Sequence, residues 1–165
     1  MDKKKILTNS QIKRKIKRIS LQIIESNFEE KEVILAGIEQ NGFLLAKELN
    51  KMITELSKLS IKLCSLKIDK KNPLNNISTS LNSSEYKNKS IVVVDDVLNS
   101  GSTLMYAVKH FLDTELRQLK TAVLVDRNHK KFPIKADFKG VSLSTSIQNH
   151  VKVQFDKNSI EAFLL

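Results

Sequence analysis

Residues 91–103 read IVVVDDVLNSGST: four β-branched residues, two adjacent carboxylates, then a run of small and hydroxylated residues. The apolar start has the composition of a buried strand. Asn99, Ser100 and Gly101 form a turn, and Ser102 and Thr103 open a helix. A glycine turn leading into a helix aims backbone N–H groups at an anion, and the hydroxyls of Ser100, Ser102 and Thr103 add donors. Such a loop would hold a phosphate monoester. Asp95 and Asp96 sit about one sugar's length away. They can accept bonds from vicinal hydroxyls or meet a divalent cation.

Two other readings compete. A helix cap after an ordinary core strand explains the serines and the glycine. It does not explain two carboxylates at the strand's end, where each must stay solvated or paired. An acidic receiver-type pocket would use the paired acids differently, with an acceptor aspartate such as Asp126 on a later strand. The glycine-serine turn would then have no purpose.

The elements that must position this stretch follow from periodicity. Ile12, Ile16, Ile19, Ile23 and Ile24 form a helical stripe with lysines and arginines opposite. Asn9 and Ser10 can cap that helix, which ends near Asn27. Residues 32–38 (EVILAGI) read as a buried strand, Asn41-Gly42 as a turn, and 43–59 as a helix, the opening of a βαβ unit. Residues 60–68 alternate as a second strand. Residues 69–89 are rich in Asn, Ser and Lys without sustained periodicity, and predict a mobile or functional loop. Residues 90–94 make a third strand, 103–119 a helix and 121–126 a fourth strand; 136–143 and 151–155 are shorter strands. Alternating strands and helices predict an α/β fold, with a mostly parallel sheet covered on both faces.

The chain has 165 residues, enough for one domain with a real core. Its single cysteine, Cys64, cannot form an internal disulfide and reads as a small buried hydrophobe in a reducing compartment. The histidines 110, 129 and 150 have no metal-ligand spacing. Residues 1–18 lack the apolar core of a signal peptide, and no apolar run is long enough to cross a bilayer. The expectation is a cytoplasmic protein with no membrane partner. Lysine and arginine number 28 against 18 acids, a net charge of +10. That excess favours phosphate-bearing partners. A lysine-rich surface of the kind an A·T-rich genome produces accounts for it more simply.

Residues 93–103 (VVDDVLNSGST) resemble the phosphoribosyl-diphosphate motif of the type I phosphoribosyltransferases, with strand, acid pair, glycine and threonine in register. Residues 18–27 (RISLQIIESN), 35–49 (LAGIEQNGFLLAKEL) and 124–140 (LVDRNHKKFPIKADFKG) are similar to the PyrR-type uracil phosphoribosyltransferases and pyrimidine operon attenuators. The resemblance implies the type I phosphoribosyltransferase fold: a mostly parallel central sheet, helices on both faces, and a small hood. It implies one domain over 1–165, with a lid at about 69–89 and a hood from about 127–165 plus the N-terminal helix.

The resemblance also implies roles. Asp95 and Asp96 would be the catalytic acids at the ribose hydroxyls and would hold Mg²⁺, directly or through water. Asn99, Ser100, Gly101, Ser102 and Thr103 would cradle the 5′-phosphate, and Glu39, Gln40, Asn41 and Gly42 would form the diphosphate loop. Lys70 and Lys71 would belong to the lid, and Asp126 and Arg127 would meet the base edge. For the last two, a strand-terminal ion pair is an alternative. The family places arginine where this chain has Asn41, Lys70 and Ser102. An amide at position 99 cannot act as a general base near neutrality, which disfavours a purine. The implied reaction transfers ribose 5-phosphate from phosphoribosyl diphosphate to a nucleobase, uracil foremost, with release of diphosphate. The alternative is an RNA-binding regulator that senses nucleotides in the same pocket. Dimers or larger assemblies are implied as well, with the apolar C-terminal residues 162–165 as a buried strand.

Overall fold

The computed structural model describes residues 3–144, 146 and 148–165. Its elements run β1 (Lys4–Leu7), α1 (Asn9–Ser26), β2 (Glu32–Ile38), α2 (Asn41–Leu56), β3 (Ser60–Lys67), β4 (Ser78–Thr79), α3 (Ser83–Tyr86), β5 (Ser90–Leu98), α4 (Ser102–Leu112), β6 (Gln118–Arg127), β7 (Phe138–Leu143), β8 (Val151–Phe155) and β9 (Ile160–Leu164). Six strands form one sheet in the order β4-β3-β2-β5-β6-β7, parallel except for β4. The remaining three form an antiparallel sheet, β1-β9-β8.

The two faces of the large sheet are sorted by residue parity. Val33, Leu35, Val92, Val94 and Leu124 pack with the isoleucines of α1 and with Leu45, Leu49 and Ile53 of α2. Ile34, Ala36, Ile38, Ile91, Val93 and Val123 pack with Leu104, Ala107 and Phe111 of α4 and with Tyr86. Neighbouring residues of a strand point to opposite faces, so a strand covered on both sides must be apolar at every position. That is why EVILAGI and SIVVV carry no polar alternation.

The strand order places a topological switch between β2 and β5. From β2 the chain crosses by α2 to β3 on one side. From β5 it crosses by α4 to β6 on the other. The crossovers diverge and leave a crevice beyond the carboxyl ends of β2 and β5, where open α/β sheets bind ligands.

Three expectations change. The acid pair lies within β5, not beyond it: Asp95 pairs with Val123, and the ladder continues to Leu98 opposite Asp126. The helix after Gly101 stops at Leu112, and residues from Gln118 already belong to β6. The apolar periodicity of 116–119 belongs to the entry into β6, where Leu116 and Leu119 are partly buried against the same cluster as α4. The segment 69–89 is not structureless. Asp69 Oδ1 accepts the N–H groups of Lys71 and Asn72 (2.9 and 3.2 Å), β4 pairs with Leu66 and Lys67, and Tyr86 is buried against Phe111. Side-chain-to-backbone turns of this kind leave no periodic signal.

The cap of α1 also shifts by one residue. Thr8 and Gln11 form a capping box, and Asn9 instead accepts a bond from the Ile160 N–H (3.0 Å). Arg18 donates to the Lys139 and Gly140 carbonyls (2.9 and 2.6 Å), which fastens α1 to β7.

Candidate functional site

The crevice at the switch point is lined from three sides. Residues 39–42 follow β2, the acid pair and residues 99–103 come from β5 and its turn, and Lys70 reaches in from the segment after β3. A cavity of about 70 Å³ is bounded by Lys70, Asp95, Asn99, Ser100, Gly101 and Thr103 among others.

Gly101 makes the phosphate-type turn. Its φ is +88°, in the left-handed region, and a Cβ there would lie 2.4 Å from Ile134 Cγ2. Only glycine meets both demands without strain. The turn is pinned from behind: the Lys131 and Phe132 N–H groups donate to the Ser100 carbonyl (2.8 and 3.0 Å). The N–H groups at the start of α4, with the hydroxyls of Ser102 and Thr103 beside them, are donors of the kind that can receive an anion. The residues backing it, 131–134, carried no chemical signal in the sequence. Their role comes from backbone hydrogen bonds and packing.

Asp95 and Asp96 are both buried, at 4% and 9% exposure. Burial, and then the neighbouring Asp96 charge, push the Asp95 carboxyl up to about 8. Lys70 Nζ lies 3.7 Å from Asp95 Oδ1 and pulls the other way. Its side chain is half exposed, so solvent screens it and burial prevails. The Asp96 N–H donates to Asp95 Oδ1 (2.9 Å), and the Val97 N–H donates to Asp96 Oδ1 (2.9 Å).

The loop after β2 meets this pair closely. The Glu39–Gln40 peptide is cis. A Cβ on Gly42 would lie 2.5 Å from the Val94 carbonyl and 3.0 Å from Asp95 Cα, so glycine is what lets the loop touch the acid-bearing strand. Asn41 Nδ2 donates to Asp96 Oδ2 (2.8 Å) and to the Val153 carbonyl of β8 (3.0 Å). Gln40 is exposed and Glu39 half-buried.

Asp126 and Arg127 end β6 nearby and are buried. They do not pair with each other in a strand-terminal bridge. Asp126 is met by Lys130 (3.0 Å) and Lys139 (3.5 Å). Arg127 donates to Asn99 Oδ1 (3.3 Å) and to the Ser146 carbonyl (3.0 Å), joining the end of β6 to the phosphate-type turn. Lys71 has an exposed side chain. His110 is not on an open helix surface: its Nε2 is buried without a partner, and burial lowers its pKa. Cys64 is buried, and burial raises its thiol pKa, as expected of an inert core thiol.

Among the described residues no cluster of three or more histidine, cysteine or acidic side chains could hold a metal ion by itself. A buried pair of carboxylates, with the Asp95 pKa raised to about 8, nonetheless gains from a cation. The donor set suits a hard divalent ion that completes its shell from a ligand's oxygens.

The chain matches the phosphoribosyl transferase domain over residues 2–158. It is 32% identical over 160 residues to the bifunctional protein PyrR of Pediococcus pentosaceus, covering 91% of this chain and 90% of that protein. It is 33% identical to the bifunctional protein PyrR of Clostridium perfringens, covering 92% and 90%. A crystal structure of a hypoxanthine-guanine phosphoribosyltransferase from Bacillus anthracis superposes with a TM-score of 0.76 at 18% identity, over 98% of this chain and 99% of that one. That last likeness establishes the fold. The domain match and the two relatives each run nearly end to end, taking in the acid pair, the turn and the loop after β2, and they establish that the chain belongs to the phosphoribosyl transferase domain family and is a phosphoribosyltransferase.

Proposed function

We propose that the protein transfers ribose 5-phosphate from phosphoribosyl diphosphate to uracil, releasing diphosphate. The observation that carries this reading is the adjacency, at one switch point, of a buried acid pair and a glycine turn open to an anion. The 5′-phosphate occupies the turn formed by Asn99, Ser100, Gly101, Ser102 and Thr103. The ribose hydroxyls face Asp95 and Asp96, and the diphosphate lies toward Glu39, Gln40, Asn41 and Gly42. As the C1–oxygen bond to diphosphate breaks, the sugar gains positive charge while the base nitrogen approaches, bonds to C1 and gives up its proton to solvent or to the departing diphosphate. The carboxylates fix the sugar and stabilise that charge. Mg²⁺ bound with the substrate would neutralise charge on the departing diphosphate; Asp95 and Asp96 are the residues to hold it, directly or through water.

Lys70 and Lys71 belong to a lid at about 69–89 that covers the site. The sheet β1-β9-β8, α1 and the residues after about 127 form a hood over one end of a single domain. Asp126 and Arg127 serve the base side. Asn99 supports a pyrimidine over a purine, because an amide cannot take up a purine's proton. The protein works in the cytoplasm as a homodimer or larger assembly. Among the described residues no helix is long and apolar enough to cross a membrane. Leu74 and Leu112, 76% and 61% exposed beside α4, are the apolar surface that supports assembly.

A second reading has its own observation. Lys3, Lys4, Lys5, Lys13, Arg14 and Lys17 are exposed in β1 and α1 and just before β1. They would supply the cationic face of an RNA-binding regulator that senses nucleotides in the same pocket. The name of the bifunctional relatives is compatible with both activities.

The test is diphosphate release from phosphoribosyl diphosphate and Mg²⁺ with uracil, hypoxanthine, guanine or adenine in turn. Release with uracil alone is expected. Release with a purine overturns the base assignment, and release with none overturns catalysis. RNA binding is followed against salt: a weak, sequence-blind affinity that vanishes at modest salt removes the regulator reading.

A further inference from the structure

Asn41 sits where the proposed diphosphate subsite meets the acid pair. An amide nitrogen carries two protons, and both are engaged: one toward Asp96 Oδ2 at 2.8 Å, the other toward the Val153 carbonyl at 3.0 Å. What remains is an acceptor oxygen, which offers nothing to an anion. Its neighbour Glu39 is itself an acid. The side-chain cation at the acid pair, Lys70, already faces Asp95 at 3.7 Å. None of residues 39–42 brings a positive side chain to the proposed diphosphate side, while the 5′-phosphate side keeps its turn and helix N-terminus.

We propose that Asn41 is a positioning and specificity-determining residue. It orients Asp96 toward the ribose and ties it to the second sheet, and it tilts the site toward nucleoside 5′-monophosphates and away from diphosphate-bearing sugars. The geometry gives both halves a cause. Asp96 is buried and would otherwise lack a side-chain donor on Oδ2, and a buried acceptor without a partner is costly. The same bond that satisfies Asp96 removes the donor from the ligand's side. Through Val153, occupancy of the ribose site is also mechanically joined to β8.

This inference rests on the site assignment above, so the experiment separates the two. Calorimetry measures binding of uridine 5′-monophosphate and of phosphoribosyl diphosphate, each with Mg²⁺, to the full chain and to N41R, N41A and N41D. For N41R the ratio of the two affinities should move about tenfold toward phosphoribosyl diphosphate, the worth of one charge-assisted contact. N41A should weaken both ligands alike, because Asp96 loses its anchor. N41D should bind both more weakly than N41A, because a third carboxylate then joins Asp95 and Asp96. An unchanged ratio in a folded N41R overturns the specificity claim. A ligand-free double-mutant cycle of N41A with D96A on thermal stability reads the contact itself, and zero coupling overturns the positioning claim. Failure of the unmodified chain to bind either ligand sinks the site assignment, while the cycle still decides the contact.

Discussion

At the scale of single residues, Asp95 shows function set against stability. Its carboxyl is pushed from the usual carboxylate range to about 8 by burial and by Asp96. A raised folded pKa means that its stability contribution is full below the unfolded value near 3.8 and is lost as pH climbs through about 8. Asp95→Asn keeps the shape without the titration. The ligand-free variant should therefore melt higher than the parent at pH 8 and above, with the gap shrinking toward pH 4, while diphosphate release is abolished. Thermal melts across that pH range check the first half; a variant no more stable than the parent at high pH contradicts the burial argument. Lys70→Gln removes the cation that faces Asp95. It should shift the acidic limb of the pH–rate profile upward, because the charge that pulls the Asp95 pKa down is gone.

Two glycines carry the element-scale argument. Gly42 lets the loop after β2 lie against Val94 and Asp95, and Gly101 turns the chain from β5 into α4 at positive φ. Gly101→Ala must place a methyl in the left-handed region, about 1–2 kcal/mol, and against Ile134. Gly42→Ala pushes on backbone atoms of β5 that cannot rotate away. Both should lower the melting temperature, but in different ligand terms. Gly101→Ala should weaken inorganic phosphate and nucleotide monophosphate, and Gly42→Ala phosphoribosyl diphosphate above all. Equal losses for every ligand would show that the two loops do not serve separate subsites. The same elements show where periodicity misleads. The apolar beat of 103–119 reads as one helix, yet Asp113 caps it, Leu116 lies in the connection after it, and Leu119 belongs to β6 beside Ile91. Apolar spacing records burial, and both a helix and the strand after it can be buried under the same core.

For the whole molecule, β9 is the strand that matters most outside the large sheet. It lies between β1 and β8, so both ends of the chain depend on it. Ile160, Ala162 and Phe163 are buried, and Asn9 at the start of α1 bonds the Ile160 N–H. Truncation after Lys157 removes the middle of that sheet and leaves β8, which carries Asn41's partner Val153, without a neighbour. A loss on the order of 5 kcal/mol follows from the apolar burial alone, and circular dichroism melts should show it. If the truncated chain melted like the parent, β8 would be held by something other than β9. The +10 charge belongs to this scale too. Phosphate binding in the enclosed site should fall only modestly from low to physiological salt, whereas binding through the exposed lysines of β1 and α1 should fall steeply.

What the sequence determined by itself was the local order of the fold and the heart of the site. EVILAGI and SIVVV read as strands covered on both faces because, after Glu32 and Ser90, they are an unbroken apolar run. DDVLNSGST reads as acids followed by a turn suited to an anion, because a plain helix cap leaves the acid pair without a use and a receiver-type pocket leaves the glycine-serine turn without one. Long-range pairing decided the rest. The short strand at residues 4–7 has too few residues to signal itself and exists because β9 is beside it. Residues 69–89 are ordered by polar side chains bonding to backbone, which leaves no apolar rhythm. Asn41 looked from its position like a weakened diphosphate ligand. Only the approach of β2's loop to Asp96 and of β8 to both shows where its protons go. A hydrogen bond between residues 55 and 112 positions apart depends on how sheets are stacked, and no local pattern along the chain encodes that.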